Sequence, residues 1–466
     1  MKTYIYSVLF IFLLSCSKDY LDIVPKGFVM LTKVEDYRLM LDQIDRKGDS
    51  NGFFYCSDND QYLSDEVKIT DDYNKVSPSR YNRKSINQYL WKDNSVEINQ
   101  NFRDLDWDAL FNQIYISNIV INGVLGAKGK VKIKEQLLAE AKTHRAYAYL
   151  VLVNLYSKHY NPTTSNADLG VPLLTEAILE GSLKRATVQQ TYDFILEDLK
   201  TSIKALPDFP EWNHRPSKAS VYALLARTYL YMGDFNKALT FSNKSLTIYS
   251  SLINYTQLPA TSIVSLYPNL VSFPTYHENT EVLLAKGRLS VAYLPTELSD
   301  THLALFDTAN DIRYKGVFAK DFVAPSFITV AFDGQLGQGI RLIGPSVPEM
   351  MLTKAECLAR QGDITAPIDI VNDLRKKRIE NVVDLGYPAT SNEALRIVKD
   401  ERRREFTNKG LRWYDIKRYN VYDNANITLT RTYKGETQTL APGDNRWVFP
   451  IAKIYTSLNP ELEPNP

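Results

Sequence analysis

The sequence predicts a mainly α-helical protein: a tetratricopeptide-like helical-repeat scaffold with an irregular loop and short-strand region mounted on it. Three observations carry that class. Residues 217–249 hold Tyr222, Leu225, Ala226, Tyr229, Gly233, Phe235 and Ala238 at the spacing of a helix, a Gly-Asp turn and a second helix. A similar unit recurs at 348–375, where Gly362-Asp363 falls on Gly233-Asp234 and Ala355 on Ala226. Pro367 then falls on Ala238, and because proline suits the first turn of a helix, the second helix of that unit is expected to start there. Third, residues 256–345, between the two units, lose helical period and fill with Pro, Gly, Ser, Thr and aromatics, as a loop-and-strand excursion does. Two-helix units stack because neither buries its apolar face alone.

The elements follow in chain order. Lys2, an apolar stretch from Tyr4 to Leu14 too short to span a bilayer, and Leu13-Leu14-Ser15-Cys16 have the anatomy of an export signal. A cysteine directly after the small residue makes 1–15 a lipoprotein signal peptide, with Cys16 lipidated as the new N-terminus and 16–30 an extended tether. One domain is expected over 31–466, its helical scaffold covering about 31–46, 102–255 and 346–420. In the first stretch, Val34, Tyr37, Leu41 and Ile44 share a helical face. Residues 47–100 are polar, aromatic and turn-rich with little periodicity, a long irregular segment of the kind that often carries function.

Trp107, Leu110, Phe111, Ile114, Ile119 and Ile121 then mark a helix that breaks at Gly123–Gly129. Leu137–Tyr156 is strongly helical, and its Ala141 and Ala148 let another helix approach closely. Thr187 caps a helix with Val188, Tyr192, Ile195, Leu199, Ile203 and Leu206 on one face, stopped by Pro207 and Pro210. Residues 421–466 read as strands and loops, with strands around Ile427–Tyr433 and Gln438–Leu440.

Composition excludes several functions. Lys+Arg number 55 against 54 Asp+Glu, which leaves no basic field for nucleic acid. After the signal no uninterrupted apolar run reaches the roughly 18 residues of a membrane helix, so the mature protein is expected to meet the membrane only through its lipid. With Cys16 lipidated, Cys56 and Cys357 remain; two cysteines make no disulfide framework, and Cys357 lies on an apolar helical face as a buried thiol would. The histidines at 144, 159, 214, 277 and 302 are scattered, and no zinc pair, phosphate loop or nucleophile elbow occurs. Acidic pairs such as Asp71-Asp72 do not set the geometry a glycosidase needs, and Gly334, Gly337 and Gly339 lack a strand-to-helix context. No enzyme is expected.

Two charge runs have structural explanations. Asp58-Asn59-Asp60 with Asp65-Glu66 hints at calcium, but Leu63 stands where a calcium loop has glycine, so no metal or cofactor is assigned. In Glu401–Arg418 the charges alternate at helical spacing, which suits ion pairs, with Arg404 and Arg412 placed to lock the helices to neighbouring carboxylates.

Read in order, the motifs resemble one family. They begin with Cys16, Asp19-Tyr20-Leu21-Asp22 and Pro25, and continue through Trp107, Leu110-Phe111, Ile114 and Asn118. Ala141, Arg145-Ala146-Tyr147, Tyr149, Gly170, Pro172-Leu173, Ser217-Lys218 and Ala226-Arg227-Thr228-Tyr229-Leu230 follow. The C-terminal half adds Glu349-Met350, Lys354-Ala355-Glu356, Asn372-Asp373-Leu374-Arg375, Glu401–Phe406, Gly410–Arg418, Phe449-Pro450-Ile451, Asn459–Leu462 and Asn465-Pro466. This ordered set resembles the SusD/RagB family of outer-membrane nutrient-binding lipoproteins; a departure is Asn408-Lys409 before Gly410, where the family usually has an acidic residue. The resemblance implies four tetratricopeptide-like helix pairs and a non-catalytic role at the exterior of a Gram-negative outer membrane. It also implies a partner, a SusC-like TonB-dependent transporter barrel that receives oligosaccharides, or peptides in some relatives.

Candidate ligand contacts are aromatics in the irregular segments. Rings stack on the C–H faces of sugars while amide, acid or Arg groups bond the hydroxyls. From 47–100 these are Tyr73, Arg80, Tyr81, Trp91 and Asn94; from 256–345 they are Tyr276, His277 and Tyr293. Trp91 has a competing assignment, since Gln88–Trp91 is similar to a pre-helix packing segment of the family. Trp107, Trp413 and Trp447 fall in structural motifs and are assigned to the core. A peptide-binding relative and a helical adaptor without a small ligand remain the alternatives.

Overall fold

The computed structural model describes residues 31–43, 52–57, 59–71, 80–92, 103–178, 181–259, 273–289, 297–315, 318–320, 328–330, 340–407 and 409–465. Consecutive helices pair along the chain: Leu105–Gly123 with Val131–Tyr156, Lys218–Tyr231 with Phe235–Ile248, Val347–Arg360 with Ala366–Arg375, and Ser391–Glu405 followed by Leu411–Tyr422. The Val188–Ser202 helix packs on Val131–Tyr156, and Val347–Arg360 packs on both Phe235–Ile248 and Ser391–Glu405, so the units stack into one scaffold. Thr187 caps its helix as expected, its hydroxyl accepting from the Gln190 N–H at 3.1 Å. Gly233 takes φ +74 at the turn of its hairpin, and a Cβ there would meet the Tyr422 ring at 2.6 Å. The partner unit restarts at Ala366, one residue before the expected Pro367.

The core runs along Val131–Tyr156, whose residues from Leu137 on are mostly buried. Trp107 meets Tyr156 edge-on at 5.0 Å, and Trp413 stacks on Trp447 at 4.5 Å. Leu105–Gly126 is long and apolar enough in composition to cross a membrane, yet it packs on the scaffold and buries Asp106, which accepts from the hydroxyls of Tyr55 and Ser57.

Guanidinium–carboxylate pairs tie the units together. Arg145 grips Asp198 at 2.8 and 2.9 Å, and Arg227 binds Glu349 across the stack, Nε to Oε1 at 2.6 Å. Arg418 pairs with Glu356 and, at 2.8 Å, with Asp415, which also accepts from Arg402 at 2.8 Å. Arg313 joins Asp311, Glu401 and Glu405, while Arg378 joins Glu281 and Glu405. The alternating run thus supplies ion pairs: Arg404 bonds Glu401 and the Leu305 carbonyl, and Arg412 forks onto Asp65 at 2.8 and 3.0 Å. Asp65, one of the acids weighed for calcium, is therefore committed to arginines.

Three expectations need correction. Residues 47–100 were expected to be irregular, yet Arg80–Tyr89 is an α-helix. Its overall polarity masks a narrow apolar edge: Ile86 and Tyr89, with Leu90 just beyond the helix, pack with Tyr62, Val67, Ile69 and Tyr433 far along the chain. Residues 256–345 contain short helices, Asp300–Leu303 and Ile312–Lys315, among the strands. The tail adds a helix, Lys453–Leu458, after its hairpin Leu429–Tyr433/Glu436–Leu440. Lys434 and Gly435, at φ +49 and +81, make the tight turn of that hairpin. The described strands pair only in twos, all antiparallel. Cys56 and Cys357 are both buried and are not joined in a disulfide.

Candidate ligand-binding site

Two segments converge on an exposed aromatic patch. The first is the connection 206–217, which proline at 207, 210 and 216 keeps out of the flanking helices. It is fixed at its C-terminal end by backbone bonds from Lys218 N to the Pro207 carbonyl (2.8 Å) and from Arg215 N to the Trp212 carbonyl (2.9 Å). Arg215 then forks onto Asp42, at the end of the Val34–Leu41 helix, at 2.9 and 2.7 Å, and His214 Nε2 lies 3.5 Å from the same carboxylate. Burial opposes the charge on Asp42, but His214 and Arg215 outweigh it and hold the carboxyl well below its usual range.

The second segment is the turn 275–279. Asn213 donates its amide to the Tyr276 carbonyl, and Asn213's own carbonyl accepts from Ala285 N at 2.7 Å, which pins the turn to the connection. Next to Ala285 in the chain, Lys286 is wholly buried; its ammonium donates to the Phe53 carbonyl and lies 4.8 Å from the centre of the Tyr147 ring. Burial pulls the Lys286 amine down to about 7.

On this support Tyr276 and His277 lie with ring centres 3.7 Å apart, Tyr276 leaning on Phe54 at 5.0 Å. Trp212 meets His277 edge-on at 6.1 Å, and His214 does so at 6.0 Å. Trp212 is 44% exposed. Three residues earlier, Phe209 stacks on Tyr249 at 4.2 Å and is itself exposed. Glu211 and Glu278 are exposed beside these rings in sequence. Exposed aromatic faces held rigidly, with carboxylates and amides alongside, can stack on the apolar face of a sugar and accept from its hydroxyls.

Of the residues nominated from sequence, the structure brings Tyr276 and His277 together in this patch. Trp91 lies elsewhere, and the ring is 4% exposed, its indole N–H donating to the Leu63 carbonyl at 3.0 Å and its face covered by the Arg431 guanidinium at 4.2 Å. Arg431 in turn donates to the carbonyls of Tyr62, Ser64 and Tyr89, and burial draws its pKa down to about 10. Trp91 is thus packed, as the competing assignment had it. Arg80 and Tyr81 stand in the Arg80–Tyr89 helix. Cys16, Tyr73, Asn94 and Tyr293 lie outside the described residues. Trp212 was missed: the sequence placed it inside the scaffold, and the signal that could have found it is a tryptophan among three prolines where the helical period lapses.

Residues 19–230 match a family described as starch-binding, associating with the outer membrane, and residues 347–466 match the SusD family, so the two matches together span most of the chain. A SusD-like protein, P38, of Formosa agariphila is 24% identical over 475 residues, covering 86% of each chain. Among solved structures, a SusD superfamily protein of Bacteroides thetaiotaomicron superposes with a TM-score of 0.72 at 20% identity, over 93% of this chain and 100% of its own. A SusD-like carbohydrate binding protein of Bacteroides vulgatus gives 0.65 at 18% identity, over 92% and 97%.

Proposed function

Because the chain belongs to the SusD family, we propose that it is a non-catalytic, lipid-anchored receptor of the outer membrane that captures nutrient oligosaccharides. It passes them to a partner TonB-dependent transporter barrel. The observation that carries the sugar assignment is the half-exposed Trp212 indole set against His277 and Tyr276 on a connection braced by Asp42 and Asn213. Cys16, following an export signal, supplies the anchor.

Screening the full chain on a glycan array tests the ligand class. Retention of one polymer class, abolished by Trp212→Ala, is the expected result; silence across sugars with capture of peptides would turn the account to the peptide-binding alternative. Replacing Cys16 by Ser is expected to release the protein from membranes, and a substituted protein that stays bound would refute the lipid anchor.

A further inference from the structure

The described N-terminal end carries a patch that ligand capture does not use. Where the Val131–Tyr156 helix begins, Lys128, Lys130, Lys132 and Lys134 alternate with apolar Val131 and Ile133. Lys128, Lys130 and Lys132 are exposed, and Lys134 donates to the Leu125 carbonyl at 3.2 Å. None of the four forms an ion pair among the described residues. Leu125, Val131 and Ile133 are exposed by 56%, 67% and 38%. The acids nearby are Glu35 and Glu135, both exposed, Glu176, which accepts from the Asn122 amide at 3.1 Å, and Asp36, whose carboxylate is turned onto the backbone N–H groups of Thr32 and Lys33. With Lys33 added, the lysines outnumber these carboxylates, and the patch is basic and apolar at once.

The arrangement runs against helix economy. The N-terminal turn favours acids, because the helix dipole places positive charge there. Here Lys130 is the N-cap without a side-chain cap bond, Lys132 follows in the first turn, and no acid occupies that turn. A broken local rule with no compensation among the described residues points to a use outside the molecule. The path of the chain indicates which use. Lys128 N donates to the Thr32 carbonyl at 2.7 Å and Val34 N to the Lys128 carbonyl at 3.0 Å, so the first described residues lie beside this loop. From Cys16 to Thr32 an extended chain reaches at most about 55 Å.

We propose that this patch is a membrane-contact surface that docks on anionic lipid headgroups, the lysines meeting phosphates while Leu125, Val131 and Ile133 enter the interfacial layer. Its setting rests on the lipid-anchor assignment above; its chemistry does not. A lipid and a basic patch acting together hold a protein far better than either alone. The aromatic connection is bound at the opposite end of the Val34–Leu41 helix, about 12 Å along it, and so stays clear of the contact.

The test uses the full chain carrying Cys16→Ser, hence no lipid, in flotation with phosphatidylcholine vesicles with and without about 30% phosphatidylglycerol. The protein is expected to float with the anionic vesicles only and to be released by salt. Changing Lys128, Lys130 and Lys132 to Glu is expected to lower that partitioning by about fivefold per position, a hundredfold together. Acids suit a helix start, so the variant should remain folded, with an unchanged melting temperature. Equal partitioning of the two proteins, or no binding of the parent to anionic vesicles, overturns the proposal; loss of a co-purifying protein in the variant without any vesicle effect assigns the patch to a protein partner instead. Because the lipid is absent throughout, failure here leaves the anchor assignment to its own membrane-release test.

Discussion

Replacing Trp212 by Ala separates a ligand-binding ring from a packing ring. An indole side chain offers about 250 Å² of surface, and 44% exposure leaves Trp212 with roughly 110 Å² of it free. A sugar ring lying on one face covers about half of that, and ~55 Å² at about 25 cal/mol per Å² is close to 1.4 kcal/mol, or tenfold in affinity. Titration calorimetry with the glycan selected on an array should therefore show about tenfold weaker binding for Trp212→Ala, with Trp212→Phe between it and the parent. Thermal unfolding should move far less than for a core ring, since the Trp212 indole is 44% exposed and makes no hydrogen bond among the described residues. Trp91→Ala is the contrasting control: it removes a buried ring, its N–H bond to Leu63 and the platform under Arg431, at a cost of about 3–5 kcal/mol of stability. An affinity for Trp212→Ala within about twofold of the parent, in a protein that melts normally, would refute the placement of the ligand.

Arg418→Met takes the shared guanidinium from buried Glu356 and Asp415, leaving them only Arg360 and Arg402 among the described residues, at a cost of about 3–5 kcal/mol; if the chain melts as one unit, calorimetry should show a midpoint lower by about 3–5 °C. Gly410→Ala forces a side chain into φ +72 with its Cβ 2.3 Å from Asp60 Oδ2, and should destabilise the protein by about 1–3 kcal/mol in urea unfolding. Lys417 is buried, donates to the carbonyls of Asn154 and Ser157 with no carboxylate partner among the described residues, and is lowered by burial to about 7. Between pH 7 and the free-lysine value near 10.4 the unfolded chain holds the proton that the native one lacks, so stability rises with pH. The stability of the parent relative to Lys417→Met should improve by about 1.4 kcal/mol per pH unit from pH 7 to 9 and stay flat below 7; urea midpoints at each pH check it.

Where local signals decided the structure, the sequence was informative. The Gly-Asp turns placed two helix pairs, the Thr187 hydroxyl placed a helix start, and the alternating charges of Glu401–Arg418 became ion pairs between helices. Where a segment is held by distant partners, local signals failed. The Arg80–Tyr89 helix carries only a short apolar edge in a very polar stretch, and that edge packs on partners as distant as Tyr433. Trp91 has the composition of a loop aromatic, yet Arg431 from the far hairpin covers it. The patch was half legible: Tyr276 and His277 stood out in a Pro-, Ser- and aromatic-rich stretch, whereas Trp212 joins them only because Asp42 and Asn213 draw its connection to the same place.

The most direct test is to titrate the purified full chain with the array-selected oligosaccharide and then weigh the recovered sugar by mass spectrometry. Saturable binding with every chain length returned unchanged is the predicted outcome. Shortened products would make the protein an enzyme, and heatless mixing with every glycan on the array would remove sugar from its function altogether.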